Sequence, residues 1–356
     1  MNAIKQLIPL LAFLVLALNV QAQDIHFSNY TNTPLYTNPA LTGYMNGNHR
    51  LQIVHRNQWS SVLKQYAYQS MLASYDFNIC LGGDYLSLGL NAVADRAGTF
   101  GFTNAMPSFN LAYHKQLSRF RYLSAGAAAG ALHYRIDPSV FTFATQFDGY
   151  DYDGSLESRE EFVGESNTVM DLAMGLFMYD TEQLWSFGLA MHHLNQPKYS
   201  FLTGDEEIGN NLNIRFTTHG SVTVPLTKDG FKRQLVLRGM FMAQSLFGDN
   251  GQWQSMLGTW WKFNFNRPEQ PIQEFILGLS GRVSGHAKGQ PVTFDAAVLS
   301  VIYDADWVAI NLNYDLNLSK LVPVSTLQGG YEMGLTFRFG GQKSDCVTCP
   351  KGNIYF

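Results

Sequence analysis

Over its last strands the chain alternates between apolar and polar residues with a period of two. In Tyr331-Glu332-Met333-Gly334-Leu335-Thr336-Phe337-Arg338-Phe339 the odd positions are apolar and the even ones are polar or glycine. From Val308 to Leu318 the even positions Val308, Ile310, Leu312, Tyr314, Leu316 and Leu318 are apolar, with Asn311, Asn313, Asp315 and Asn317 between them. A helix would scatter both sets around its circumference, whereas a strand sends successive side chains to opposite faces. One apolar and one polar face suit a strand with lipid on one side and a polar lumen on the other.

The same period runs more weakly through the rest of the chain. It predicts about fourteen strands, beginning near Arg50, Ala67, Tyr85, Asn104, Arg121, Asn167, Leu184, Asn213, Gln234, Trp253, Glu274, Val292, Trp307 and Tyr331. The strands at Gln234 and Trp253 are noisy, with apolar residues on both faces. An even count suits a single-chain bacterial barrel, in which short periplasmic turns alternate with longer external loops. With the first strand running outward, the long connections Pro138 to Ser166, Lys198 to Leu212 and Ser319 to Gly330 all fall outside. The tight turns Leu117 to Phe120, Asp180 to Gln183 and Asp304 to Asp306 all fall inside. The fold class is therefore an all-β transmembrane antiparallel barrel over residues 50–340, with a non-barrel segment before it.

The first residues predict export. Lys5, the apolar stretch Leu7 to Leu18, and Val20-Gln21-Ala22 ahead of Gln23 have the layout of a signal peptide over residues 1–22. Residues 23–49 are too polar and proline-rich for a membrane strand and are expected in the lumen mouth or the periplasm. Residues 341–356 form a polar tail placed in the periplasm. No later stretch is apolar for the roughly 20 residues of a membrane helix. Charged residues make up 15% of the chain and aromatic ones 14%. The charged share lies well below the roughly 25% usual in soluble domains. A net charge of −4 gives nucleic acid no basic patch to bind.

Candidate chemistry is sparse. Cys346 and Cys349 have the spacing of half a zinc site without a second pair, so in an oxidising compartment a disulfide between them is the better reading, with Cys80 left over. No cofactor is implied. The segment Phe147 to Glu165 carries Asp148, Asp151, Asp153, Glu157, Glu160, Glu161 and Glu165 against Arg159 alone. It suits a solvated loop, or contact with a partner; a calcium loop's ordered ligand series is missing. Asp171, Asn311, Asn313, Asp315, Glu332 and Arg338 are expected to line the lumen, where such residues either border a conduit or pair with one another. Trp59, Trp185, Trp253, Trp260, Trp261 and Trp307 suit interface girdles. His192 and His193 raise the possibility of a barrel-embedded hydrolase, but adjacent strand residues face opposite ways and no Gly-x-Ser-x-Gly elbow is present, so no enzyme is expected.

A succession of short motifs resembles the PorP/SprF family of type IX secretion system membrane proteins. It runs through Gln23-Asp24-Ile25-His26-Phe27-Ser28, Pro34-Leu35-Tyr36-Thr37-Asn38-Pro39-Ala40-Leu41-Thr42-Gly43, Arg56-Asn57-Gln58-Trp59 and Asp95-Arg96-Ala97-Gly98. It continues with His192-His193-Leu194-Asn195-Gln196-Pro197, Tyr314 to Leu321, and Cys349-Pro350. The resemblance implies a barrel in the outer membrane of a Gram-negative bacterium, in contact with lipid and with other components of that system. Its cargo would be an exported surface protein, such as a large adhesin of gliding cells, carrying a C-terminal sorting domain. Asp95 and Arg96, at the external end of the third strand, are then either a turn that fixes a loop or a cargo contact. The reading from a different class is a porin-like solute channel.

Overall fold

In the computed structural model fourteen antiparallel strands close into a barrel, each paired with its sequence neighbours and the first with the last. The structure describes residues 24–98, 102–137, 142–147, 149–157, 166–198, 211–227, 232–245, 251–265, 273–286, 292–305 and 307–340. The strands are β1 (His49–Gln58), β2 (Tyr68–Leu81), β3 (Asp84–Ala97), β4 (Phe102–Gln116), β5 (Arg121–Arg135), β6 (Ser166–Asp180) and β7 (Trp185–His192). They continue with β8 (Arg215–Pro225), β9 (Arg233–Gln244), β10 (Gln252–Asn264), β11 (Glu274–His286), β12 (Thr293–Asp304), β13 (Val308–Asn317) and β14 (Gln328–Phe339). Each begins within three residues of the start that the alternation predicts. Closure through β1 and β14, from His49 opposite Phe339 to Gln58 opposite Gly330, leaves no unpaired edge, as a sheet surrounded by hydrocarbon requires.

The alternation in sequence becomes an alternation in exposure. On β13, Ile310, Leu312 and Tyr314 are 41%, 44% and 39% exposed, while Asn311, Asn313 and Asp315 are 5%, 4% and 1% exposed. The outward set forms the apolar wall and the inward set lines the lumen. The turns at Gly82, Leu117 to Phe120, Asp180 to Gln183 and Asp304 share a rim with both barrel termini, here called the terminal rim. The long connections after β5, β7 and β13 leave the opposite loop rim.

Strands β9 and β10 read as noisy for a physical reason. Their inward residues Val236 and Trp260 pack with Ile276 and Ile302 as an apolar cluster inside the barrel, and Met240 and Met256 pack against Tyr30. Trp260 is thus no girdle residue: it is 1% exposed, points into the lumen, and carries the Arg238 guanidinium 5.0 Å above its ring. Trp261 and Trp307 face outward, and Trp253 stacks on Phe241 on the outer wall. Trp59 and Trp185 are partly buried at strand ends.

The segment ahead of β1 fills the lumen and does not stop at its mouth, which corrects the expectation from its composition. From Phe27 to Met45 every residue is buried except Tyr36, which is partly buried. The segment runs from the loop rim, where Asp24 meets β8 and β9, to the terminal rim, where Asn48 N–H donates to the Gly340 carbonyl. It contains no long helix, only the turn Pro34–Thr37 and the 3-10 turns Tyr30–Asn32 and Pro39–Leu41. Two glycines on the wall let it approach. A Cβ on Gly126 would lie 2.4 Å from the Ala40 nitrogen, and one on Gly175 would lie 1.9 Å from Asn38 Oδ1.

The outer wall gives the first prediction. Leu90, at mid-strand on β3 and 59% exposed, faces the hydrocarbon. Leu90→Arg should lower the unfolding free energy by about 2–4 kcal/mol, and Arg96→Ala near the rim should change it by less than about 1 kcal/mol. Urea titration of the barrel in lipid vesicles measures both; equal effects would contradict a wall buried in lipid at Leu90.

Candidate functional site

The turns of the lumen segment bond part of its backbone, and the barrel's inward side chains bond further groups of it. Glu332 on β14 accepts from the Ser28 and Asn29 backbone N–H groups at 2.6 and 3.3 Å. Asn32 and Asn313 donate to the same carboxylate. Arg56 on β1 bonds Ser28 Oγ and meets Asp315 at 3.0 Å, and Asp315 also meets Arg282 at 3.0 Å. All these groups are almost fully buried. Each cation stands against at least one carboxylate, as burial away from solvent demands.

Lower in the lumen the pattern repeats on other strands. Asp76 accepts from Gly43 N–H at 2.7 Å and is held by both ends of Arg50, whose Nη1 donates to the Tyr44 carbonyl. His114 meets the Thr42 carbonyl at 2.8 Å, and Ser124 Oγ donates to the Ala40 carbonyl at 2.8 Å. Asn38 Nδ2 donates to the Leu176 and Leu189 carbonyls of β6 and β7. Ala40, Leu41 and Tyr44 sit in a cluster of Tyr85, Tyr122, Phe177 and Tyr179, with Tyr85 and Tyr179 joined through their hydroxyls.

At the loop rim the segment ends in an ionic latch. Asp24 Oδ2 lies 2.7 Å from His193 Nε2 and 2.8 Å from Arg215 Nη1, and His193 Nδ1 lies 2.9 Å from Asp171. The two adjacent histidines do share one site, contrary to the expectation from strand geometry. β7 stops at His192, and His193 adopts φ 59°, so the alternation ends and both side chains are buried. His192 meets the Thr37 carbonyl at 3.3 Å. Burial alone would lower the His193 pKa, but the Asp24 charge and the bonds to Asp171 and Asp24 outweigh it and raise it to about 9. Asp24 is itself destabilised as an anion by burial, yet His193 and Arg215 hold it well below the usual carboxylate range. His26 is kept neutral by burial and by the nearby Arg282 and Arg56 cations.

Above this latch lies a cavity of about 630 Å³ facing the loop rim. Asp24, Ile25 and His26 form its floor, and Gln58, Asp95, Gln244, Gln252, Gln254 and Asp295 are among its walls. Asp295 turns inward because the ladder between β11 and β12 shifts register between Arg282 and Val283; its carboxylate accepts from Arg282 Nε at 2.6 Å. Among the described residues, cavities deeper in the lumen include one of about 40 Å³ beside His192 and two of about 20 Å³ beside Arg238, room for one or a few waters.

The other sequence-derived candidates separate by position. Asn313, Asp315 and Glu332 belong to the network around Ser28, Arg338 pairs with Asp304 near the terminal rim, and Asp171 joins the latch. Asn311 is an inward residue beside the small cavity at Arg238. Asp95 faces the large cavity and accepts from Ser70 at 2.5 Å, whereas Arg96 points outward. Asp151, Asp153 and Glu157 are exposed, and Asp153 caps Ser155 in a local turn. Asp148, Glu160 and Glu161 lie outside the described residues, as do Cys346 and Cys349; Cys80, expected as the cysteine left over, is disulfide-bonded. Among the described residues no cluster of three or more acidic, His or Cys side chains could hold a metal ion. Sequence reasoning passed over Asp24, Arg50, Arg56, Asp76, Arg215 and Arg282 as site residues, and weighed His193 only as part of a hydrolase. For Arg50, Arg56, Asp76, Arg215 and Arg282 the signal was available: a charge deep within a membrane strand has to face the lumen.

The family profile described as "Type IX secretion system membrane protein PorP/SprF" matches residues 19–337. No curated protein matches the chain. Among solved structures it is similar to the CymD monoaromatic hydrocarbon channel, with a TM-score of 0.47 and 10% identity over 87% of this chain and 93% of that one. It is also similar to BamA from Haemophilus ducreyi lacking POTRA domains 1-3, with a TM-score of 0.40 and 9% identity over 82% of this chain and 71% of that one.

Two predictions follow from the lumen network. Arg56→Ala strands the buried Asp315 and Glu332 carboxylates without one of their cations and should cost about 3–5 kcal/mol, read as a lower urea midpoint for the folded barrel. The latch should weaken in alkali. The folded His193 pKa of about 9 lies above its ordinary 6.5, so its contribution is complete below about 6.5 and is lost as pH rises through about 9. Asp24 is depressed, so its contribution holds above the ordinary carboxylate range and fades only in strong acid. Single-channel recordings should therefore show more frequent opening at pH 10 than at pH 7, with the rise abolished in His193→Gln; a flat wild-type profile would rule the latch out as the pH-sensitive element.

Proposed function

The chain belongs to the PorP/SprF family of type IX secretion system membrane proteins, and on that premise we propose that the barrel holds an exported protein of that system at its loop rim. The observation that carries this reading is the occupied lumen. The chain's own segment, buried from Phe27 to Met45 and bonded to strands around the wall, fills the space a solute would need. The open volume lies instead at the loop rim, beside the long connections. Binding there is surface complementarity without bond chemistry. A cargo such as a large adhesin of a gliding cell, with a C-terminal sorting domain, is the partner this reading names.

The orientation belongs to the same proposal: loop rim at the cell surface, both barrel termini in the periplasm of a Gram-negative cell. Removal of residues 1–22 fits it as well. Asp24 already stands at the loop rim, so an attached apolar leader would have to share the space beside the cargo.

Deleting the gene should deplete at least one protein with a sorting domain from the surface proteome, and affinity capture of the barrel should recover that protein. An unchanged surface inventory together with no captured cargo would sink the proposal. In planar bilayers the intact barrel should be closed at neutral pH, whereas a variant lacking residues 24–47 should conduct. Steady conductance by the intact barrel would favour the solute channel instead.

A further inference from the structure

The loop-rim cavity is lined by four glutamines together with charged, aromatic and apolar residues. Its charged groups are already engaged within the protein: Asp24 with His193 and Arg215, Arg56 with Asp315, Asp295 with Arg282, and Asp95 with the Ser70 hydroxyl. The unused hydrogen-bonding capacity lies elsewhere. Gln254 is 8% exposed and lines the cavity, and among the described residues its Nε2 has no partner. Gln252 and His26 line the same cavity, and the buried Gln252 Oε1 and His26 Nε2 are likewise without partners among the described residues. Buried amides left this way cost free energy unless something meets them.

The spacing of these groups indicates what would meet them. Gln252 and Gln254 stand two residues apart on the inward face of β10, roughly 6.8 Å along an antiparallel strand, which is the repeat of like-facing peptide groups in an extended chain. A glutamine amide offers one acceptor and two donors, the complement of a peptide group. Gln244, on the neighbouring strand β9, already works this way: its Oε1 accepts from the Asp24 backbone N–H and its Nε2 donates to the Asn213 carbonyl, both at 3.4 Å. Below it, Glu332, Asp76, His114 and Ser124 hold the lumen segment by its backbone. The cavity continues the same wall above the point where the described segment begins.

We propose that this cavity binds an extended, uncharged stretch of polypeptide from the exported partner, held by its backbone on the amides of Gln252 and Gln254. This rests on the reading that the loop rim holds an exported protein, and it names the part of that protein that enters. Backbone recognition makes the site tolerant of sequence. A volume of about 630 Å³ lies within the 300–1,000 Å³ or so of typical ligand pockets, enough for a few residues of extended chain and too little for a folded domain.

The test uses the full-length barrel in lipid nanodiscs and isothermal titration calorimetry. The probes are an acetylated, amidated decapeptide of Gly, Ser, Thr and Asn, and maltohexaose as an equally polar non-peptide. The peptide should bind saturably and the sugar should not. Gln254→Leu should weaken peptide binding at least tenfold, with the heat-modifiable gel shift confirming a folded barrel. A second arm does not depend on folding of that variant: Ser284→Cys, on the cavity wall, is assembled first and then capped with a bulky maleimide, which should abolish binding. No saturable peptide binding, binding unaffected by either change, or binding of maltohexaose in place of the peptide would each overturn the proposal. If cargo capture survives Gln254→Leu undiminished while the surface proteome still depends on the gene, this inference fails and the broader reading stands.

Discussion

The structure depends on one constraint: no backbone N–H or carbonyl at membrane depth can be left without a partner. The wall meets it by closing β1 onto β14. The segment inside meets it only in part through its own short turns. The lumen therefore has to be lined with side chains that fit an irregular backbone, and the positions of Glu332, Asp76, His114, Ser124 and Asn38 answer that need one contact at a time. Polar residues inside this barrel are better understood as a mould for a peptide than as the lining of a pore.

Electrostatics follows from the same requirement. A carboxylate is a strong acceptor for two N–H groups, but buried it needs a cation, so Glu332 and Asp315 bring Arg56 and Arg282 with them. Near the terminal rim Asp76 brings Arg50, and at the loop rim Asp24 on the segment brings His193 and Arg215 from the wall. Several of the ionic groups thus sit where the segment is held.

The wall was legible in the sequence because lipid imposes a period of two on every strand, strongly on β13 and β14 and weakly where apolar residues also point inward. Val236, Met240, Met256 and Trp260 blurred β9 and β10 because they pack inside the lumen, Val236 and Trp260 with Ile276 and Ile302 of other strands and the two methionines with Tyr30 of the segment. The segment's path was not legible. Side-chain bonds to backbone have no sequence period, and Ser28 meets Glu332 only after closure brings opposite ends of the chain together. The sharing of one site by His192 and His193 was hidden for a local reason, the positive φ at His193 where the strand stops. The ordered motifs did mark the right places: Asp24, Arg56 and His193 each fall within one.

The direction of the segment bears on how the barrel can assemble. It starts at the loop rim and descends to the terminal rim before turning into β1, so the stretch ahead of β1 lies threaded through a ring that the last strand completes. Glu332 on β14 grips Ser28 and Asn29, and Arg56 on β1 meets that grip from the other side of the seam. A finished ring would have to be re-entered from the terminal side by a polar chain with its backbone unsatisfied. If the strands instead curl around the segment, the final pairing of β1 with β14 and the seating of Ser28 become a single event, and the barrel is zipped shut around its own beginning.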